Sequence, residues 1–150
     1  MSDRVVSVSR VIKASPEAIF DVLADPARHA EIDGSGTVQT IRGESHRLAL
    51  GSQFGMDMKM GPLPYQISNT VKEFEEHRLI AWAHFGGHRW RYELTPTTVD
   101  GSPATEVTES FDWSTCNPVV GTGIELVGYP KRHPANMTAT LERLAAVVET

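Results

Sequence analysis

The chain has 150 residues, 19 acidic against 14 basic side chains for a formal charge of −5, and a single cysteine. That length fits one domain over 1–150, which buries roughly 68–70% of its unfolded surface and needs neither metal nor disulfide to fold. The acidic balance excludes the basic stripe of a nucleic-acid binder, Cys116 cannot close an internal disulfide, and no apolar run approaches the roughly 20 residues that span a bilayer.

Val6, Val8 and Ile12 alternate with Ser7, Ser9 and Lys13, which predicts a first strand over about 4–13. Met1-Ser2-Asp3-Arg4 leads into it without a signal-peptide core, so a reduced, cytoplasmic setting is expected. Ser15-Pro16-Glu17 then opens a helix: a capping hydroxyl, a proline with a suitable φ and no amide to waste, and an acid at the positive helix end. Ile19, Phe20, Val22 and Leu23 form its apolar side. Asp25-Pro26 repeats the signal for a second short helix ending near Ile32, and Asp33-Gly34-Ser35-Gly36 breaks it.

From Thr37 the strand pattern dominates. Strands are predicted at about 37–44, 52–60, 65–74, 79–85, 88–95 and 104–113. Gly61-Pro62-Leu63-Pro64, Gly86-Gly87 and Asp100-Gly101 carry turn chemistry between them. Glu73, Glu75 and Glu76 read as a solvated hairpin end. At the C-terminus the period changes. Met137, Leu141, Leu144, Ala145 and Val148 fall at helical spacing. Pro130 and Pro134 are expected to kink or split this helix, leaving a shorter piece around 119–128.

Side chains at i, i+2 and i+4 of a strand share one face. Phe54, Met56, Met58 and Met60 form one oily row, Trp90, Tyr92 and Leu94 a second, Val107, Phe111 and Trp113 a third. These rows fill a solid core or line a cavity for an apolar small molecule. Around Gly86-Gly87 two registers compete. A two-residue loop sets Ala83 opposite Trp90 and turns Trp82 away. A three-residue loop sets Trp82 opposite Tyr92 and His84 opposite Trp90, leaving Arg89, Arg91 and Glu93 outside. We prefer the second, because it gathers the aromatic rings and separates the charges.

That register puts Asn69, His84, Tyr92 and Glu109 among the inward residues. Glu109 alternates with Val107 and Phe111, and a desolvated carboxylate there is costly and raised in pKa unless paired. The bland alternative opens the sheet to water at that end. Asn69 and Tyr92 fit orienting hydrogen-bond roles, and the methionines fit either core or an adaptable wall. Other motifs fail. His84 and His88 straddle a turn without a third ligand, so no metal is expected. Gly121-Thr122-Gly123 lacks the rest of a dinucleotide loop, and Gly34-Ser35-Gly36 is no nucleophile elbow. No cofactor is expected.

The arrangement resembles the START-like (SRPBCC) superfamily, in particular its bacterial polyketide cyclase/dehydrase and lipid-transport branch. Ser15-Pro16-Glu17-Ala18-Ile19-Phe20-Asp21-Val22-Leu23-Ala24-Asp25-Pro26 resembles its first helix and Asp-Pro exit. Ile32-Asp33-Gly34-Ser35-Gly36, Arg78-Leu79-Ile80-Ala81-Trp82, Ala104-Thr105-Glu106-Val107-Thr108 and the Leu141/Leu144 helix resemble its later segments. The resemblance implies an α+β helix-grip fold. In it a seven-stranded antiparallel curved sheet wraps around a long C-terminal helix, with two short helices after the first strand. It also implies a hydrophobic cavity between sheet and helix.

The expected partner is thus an apolar ligand such as a lipid or polyketide, with no nucleic acid and no stable membrane insertion. Phe54, Met56, Met58, Trp82, Trp90, Tyr92, Phe111 and Met137 would supply walls; Asn69, His84, Tyr92 and Glu109 would orient a polar end. An alternative is a cyclase or dehydratase, with Glu109 or His84 as general base and Tyr92 or Asn69 polarising a carbonyl. A third is a surface-acting module of the chaperone-activator kind, which predicts a collapsed interior and a broad exposed apolar patch. The sequence names neither a ligand nor an oligomeric state.

Overall fold

The computed structural model describes residues 5–32, 38–42, 47–60, 62–83, 89–114 and 129–149. Strand β1 spans Val5–Ile12, helix α1 Pro16–Leu23, and α2 His29–Ile32 after a single 3-10 turn at Pro26–Arg28. Then follow β2 (Val38–Arg42), β3 (Gln53–Met60), β4 (Leu63–Glu75), β5 (Leu79–Ala83), β6 (Arg89–Val99) and β7 (Ser102–Asp112). Helix α3, Tyr129–Val148, closes the chain. Among the described residues the strands form one antiparallel sheet in the order β1-β7-β6-β5-β4-β3-β2. Every neighbour except the β1–β7 pair is also consecutive in sequence.

Local chemistry accounts for the ends. The Ser15 hydroxyl accepts from the Ala18 amide at 3.2 Å, with Pro16 in the first helical turn. Asp100 (φ 52°) and Gly101 (φ 80°) make the two-residue turn between the paired Val99 and Ser102, with the positive φ values that match strand twist. Leu48 N–H donates to the Ala24 carbonyl at 2.8 Å, tying the segment before β3 to the end of α1.

The β5–β6 register corrects both expected ones. Trp82 pairs with Trp90, and Ile80 with Tyr92. The preferred register had Trp82 opposite Tyr92, two residues away. A two-residue slip keeps every side chain on its face, so Trp82, Trp90 and Tyr92 still share one side. Helix α3 corrects the expected split at Pro134. It is helical through Pro130 and Pro134. Pro130 lies in the first turn, where amides have no helical partner to lose, and Pro134 forfeits one bond. The piece expected around 119–128 lies outside the described residues.

The core is the inner sheet face with α1 and α3. Ile12, Ile19, Phe20, Leu23, Val71, Ile80, Leu94, Val107, Leu141 and Leu144 are buried in it. Helix α3 packs on β1, β7, α1 and α2, and α2 also touches β2. The short α2 helix therefore stands between α3 and the β2 edge. No helix among the described residues is long and apolar enough to cross a membrane.

Candidate functional site

Alternation places Phe54 and Met56 of β3, Asn69 and Val71 of β4, Trp82 of β5, Tyr92 of β6 and Glu109 of β7 on the inner face. Register makes direct partners of Phe54 and Asn69, of Val71 and Trp82, and of Tyr92 and Glu109. Phe54, Met56, Asn69, Tyr92, Glu109, Phe111 and Met137 are all buried, and Trp82 and Trp90 partly so. The Met58 side chain and His84 lie outside the described residues.

Among the described residues, the rings of the expected site fall into two groups. The Trp82 ring lies 5.7 Å from Phe54 and 5.6 Å from Tyr92. Trp90 instead contacts Phe111 at 4.9 Å, and Phe111 stacks on Trp113 at 5.7 Å, in a separate cluster. The first group includes a residue that sequence reasoning missed. His29 of α2 is buried, stacks on Trp82 at 4.8 Å and meets the Phe54 edge at 5.5 Å. Its Nε2 lies 2.9 Å from the Leu23 carbonyl. A carbonyl only accepts, so this nitrogen carries a proton. The only local signal was the Asp25-Pro26 helix start, which places a histidine three residues on.

Most buried polar side chains are satisfied within the chain. Thr105 Oγ1 donates to the Ala14 carbonyl and Thr140 Oγ1 to the Asn136 carbonyl, both at 2.9 Å. The Ser110 hydroxyl pairs with that of Ser7 at 2.8 Å. Among the described residues, Asn69 Oδ1 and Glu109 Oε1 are buried atoms that accept no hydrogen bond. Glu109 as a residue is engaged elsewhere. Asn69, at 2% exposure, keeps its amide oxygen bare. Such an atom costs about 1–3 kcal/mol.

The outer face corrects the reading of Glu73 as part of a solvated hairpin end. A bulge between Val71 and Glu73 shifts the pleat, so Val71 faces in and Glu73 faces out. There Glu73 accepts from Arg91 Nη2 at 2.7 Å and from Arg89 Nη1 at 2.8 Å, and Arg91 Nη2 also reaches Asp112 at 3.1 Å. The Arg91 hydrogen bond, against the cost of burial and with help from Arg89, holds the Glu73 carboxyl below its ordinary range. Burial raises Asp112, but the Ser114 hydroxyl and amide together with Arg91 outweigh it and leave the group lowered. The same hydrogen bond to Glu73 raises Arg91. Glu75 and Glu76 do lie at an exposed end, beside Arg78 and Arg47.

Residues 3–149 match the model of a family described as polyketide cyclase / dehydrase and lipid transport. The chain belongs to that family, within the START-like (SRPBCC) superfamily. An uncharacterized protein of Mycobacterium tuberculosis, Rv0088, is 39% identical over 146 residues, covering 92% of this chain. The match spans 62% of that relative's own length. Among solved structures, a Rhodobacter sphaeroides protein superposes with a TM-score of 0.70 at 17% identity, covering 99% of this chain and 93% of that one. A polyketide-cyclase-like protein from Corynebacterium glutamicum gives 0.58 at 20% identity, covering 98% and 90%. These likenesses carry the helix-grip fold: an α+β chain whose curved antiparallel sheet packs on its C-terminal helix.

Proposed function

We propose that the protein holds an apolar small molecule, such as a lipid or polyketide, between the inner sheet face and α3. The observation that carries this reading is Asn69. Phe54 pairs directly with Asn69, and Met56, Trp82 and Tyr92 share its buried or half-buried sheet face, beside an amide oxygen that accepts no hydrogen bond among the described residues. Apolar walls with a few placed polar groups are what small-molecule sites share. Native mass spectrometry after detergent-free purification, paired with thermal shifts against a panel of lipids and polycyclic compounds, tests it. A defined adduct and a concentration-dependent rise in midpoint are expected. A bare mass and no shift across the panel would refute it.

One observation favours a second reading, a cyclisation or dehydration at the same place. Tyr92 and Glu109 are buried register partners, a phenol beside a carboxyl. Glu109 would act as base while Tyr92 polarises a carbonyl. Glu109→Gln should then keep ligand binding and lose turnover of that ligand. A surface-acting module has less support. Among the described residues the large exposed apolar side chains are Val5, Val11, Leu50 and Leu63, spread over β1, the turn before β3 and the start of β4.

A further inference from the structure

We infer that the buried end of the guest is a hydrogen-bond donor, a hydroxyl or an N–H, and that Asn69 selects for it. This rests on the binding reading above and adds what the guest must carry.

An amide oxygen accepts and never donates. Thr105, Thr140 and Ser110 close their bonds inside the chain, whereas Asn69 Oδ1 closes none. Among the described residues on the inner face, Phe54 stands directly across β3, Val71 follows along β4, Trp82 is opposite Val71, and none of them donates to this oxygen. The Trp82 ring stacks on His29 and meets Phe54 in a T-shaped contact. A guest hydroxyl arriving at Asn69 converts a bare buried acceptor into a hydrogen bond. An ether or ketone at the same end brings only lone pairs and leaves the oxygen bare. A site with a fixed polar group discriminates against analogues that cannot pair with it. The His29, Phe54 and Trp82 rings contact one another on this part of the face.

The test is calorimetric titration of the full chain with matched probes: naphthol, methoxynaphthalene and acetylnaphthalene, then decanol and decyl methyl ether. Each alcohol is expected to bind about tenfold tighter than its ether, the worth of one hydrogen bond. In Asn69→Leu, which keeps the volume and removes the oxygen, the alcohols lose that factor and the ethers hold or gain, so the gap closes. The variant should melt at or above the wild-type midpoint, because no bare acceptor is left. If it does not fold, that outcome overturns a purely ligand-directed role for Asn69, and the wild-type series still decides the donor preference. Alcohol and ether binding alike, or acetylnaphthalene binding tighter than naphthol, would overturn the inference while leaving a binding site in place. If none of the five probes binds, the binding reading falls and the inference with it.

Discussion

Replacing Arg91 by leucine removes the hub of the outer-face network. Its guanidinium gives Nε to Glu73 at 3.0 Å and Nη2 to Glu73 at 2.7 Å and Asp112 at 3.1 Å. The Arg91, Glu73 and Asp112 side chains are 16%, 23% and 10% exposed, between the surface and the buried regime. An exposed pair is worth about 0–1 kcal/mol, and breaking a buried one costs about 3–5 kcal/mol. Arg89 still serves Glu73, and Ser114 still serves Asp112. The loss should therefore be about 2 kcal/mol, or about 4–8 °C in midpoint for a chain of this size. Its pH dependence has a definite sign. Folding lowers both carboxyls, so their contribution is full above the unfolded values near 4 and fades as pH falls through the lower folded ones. The penalty of Arg91→Leu, measured by urea melts, should be full at neutral pH and shrink below about pH 4. An equal penalty at pH 7 and in that acid range, or none at neutral pH, would refute the reasoning.

Other substitutions probe the frame. Leu144→Ala removes a fully buried α3 side chain and should cost about 3 kcal/mol in a denaturant melt, loosening the helix from the sheet. Gly101→Ala meets nothing within 4 Å, yet Gly101 sits at φ +80°. It should lose about 1 kcal/mol from backbone strain alone, and Gly101→Asn should lose less. A loss for Asn equal to that for Ala would count against strain as the cause.

The inner face was legible because strands write it with a period of two. Val107, Glu109 and Phe111 on β7 and Tyr92 and Leu94 on β6 are buried together, as their alternation implies. The Ser15 cap and the Asp100-Gly101 turn were readable for the same reason: their chemistry is local. Non-local features were not. The register of Trp82 against Trp90 depends on the chain between β5 and β6, and face alternation does not distinguish slips of two. The bulge after Val71 reverses the pleat, so Glu73, spaced as an inward residue, turns out toward Arg91. His29 enters the ring cluster only because α2 folds back over Trp82, a placement no spacing within α2 encodes. Pro134 reads as a helix breaker, yet α3 continues through it.

Nitrogen-15 NMR of the indole and side-chain amide groups, recorded while the full chain is titrated with naphthol, tests the central claim most directly. The account predicts saturable shifts of the Trp82 indole and the Asn69 amide with a common midpoint. Unmoved Trp82 and Asn69 signals at saturating probe would contradict it.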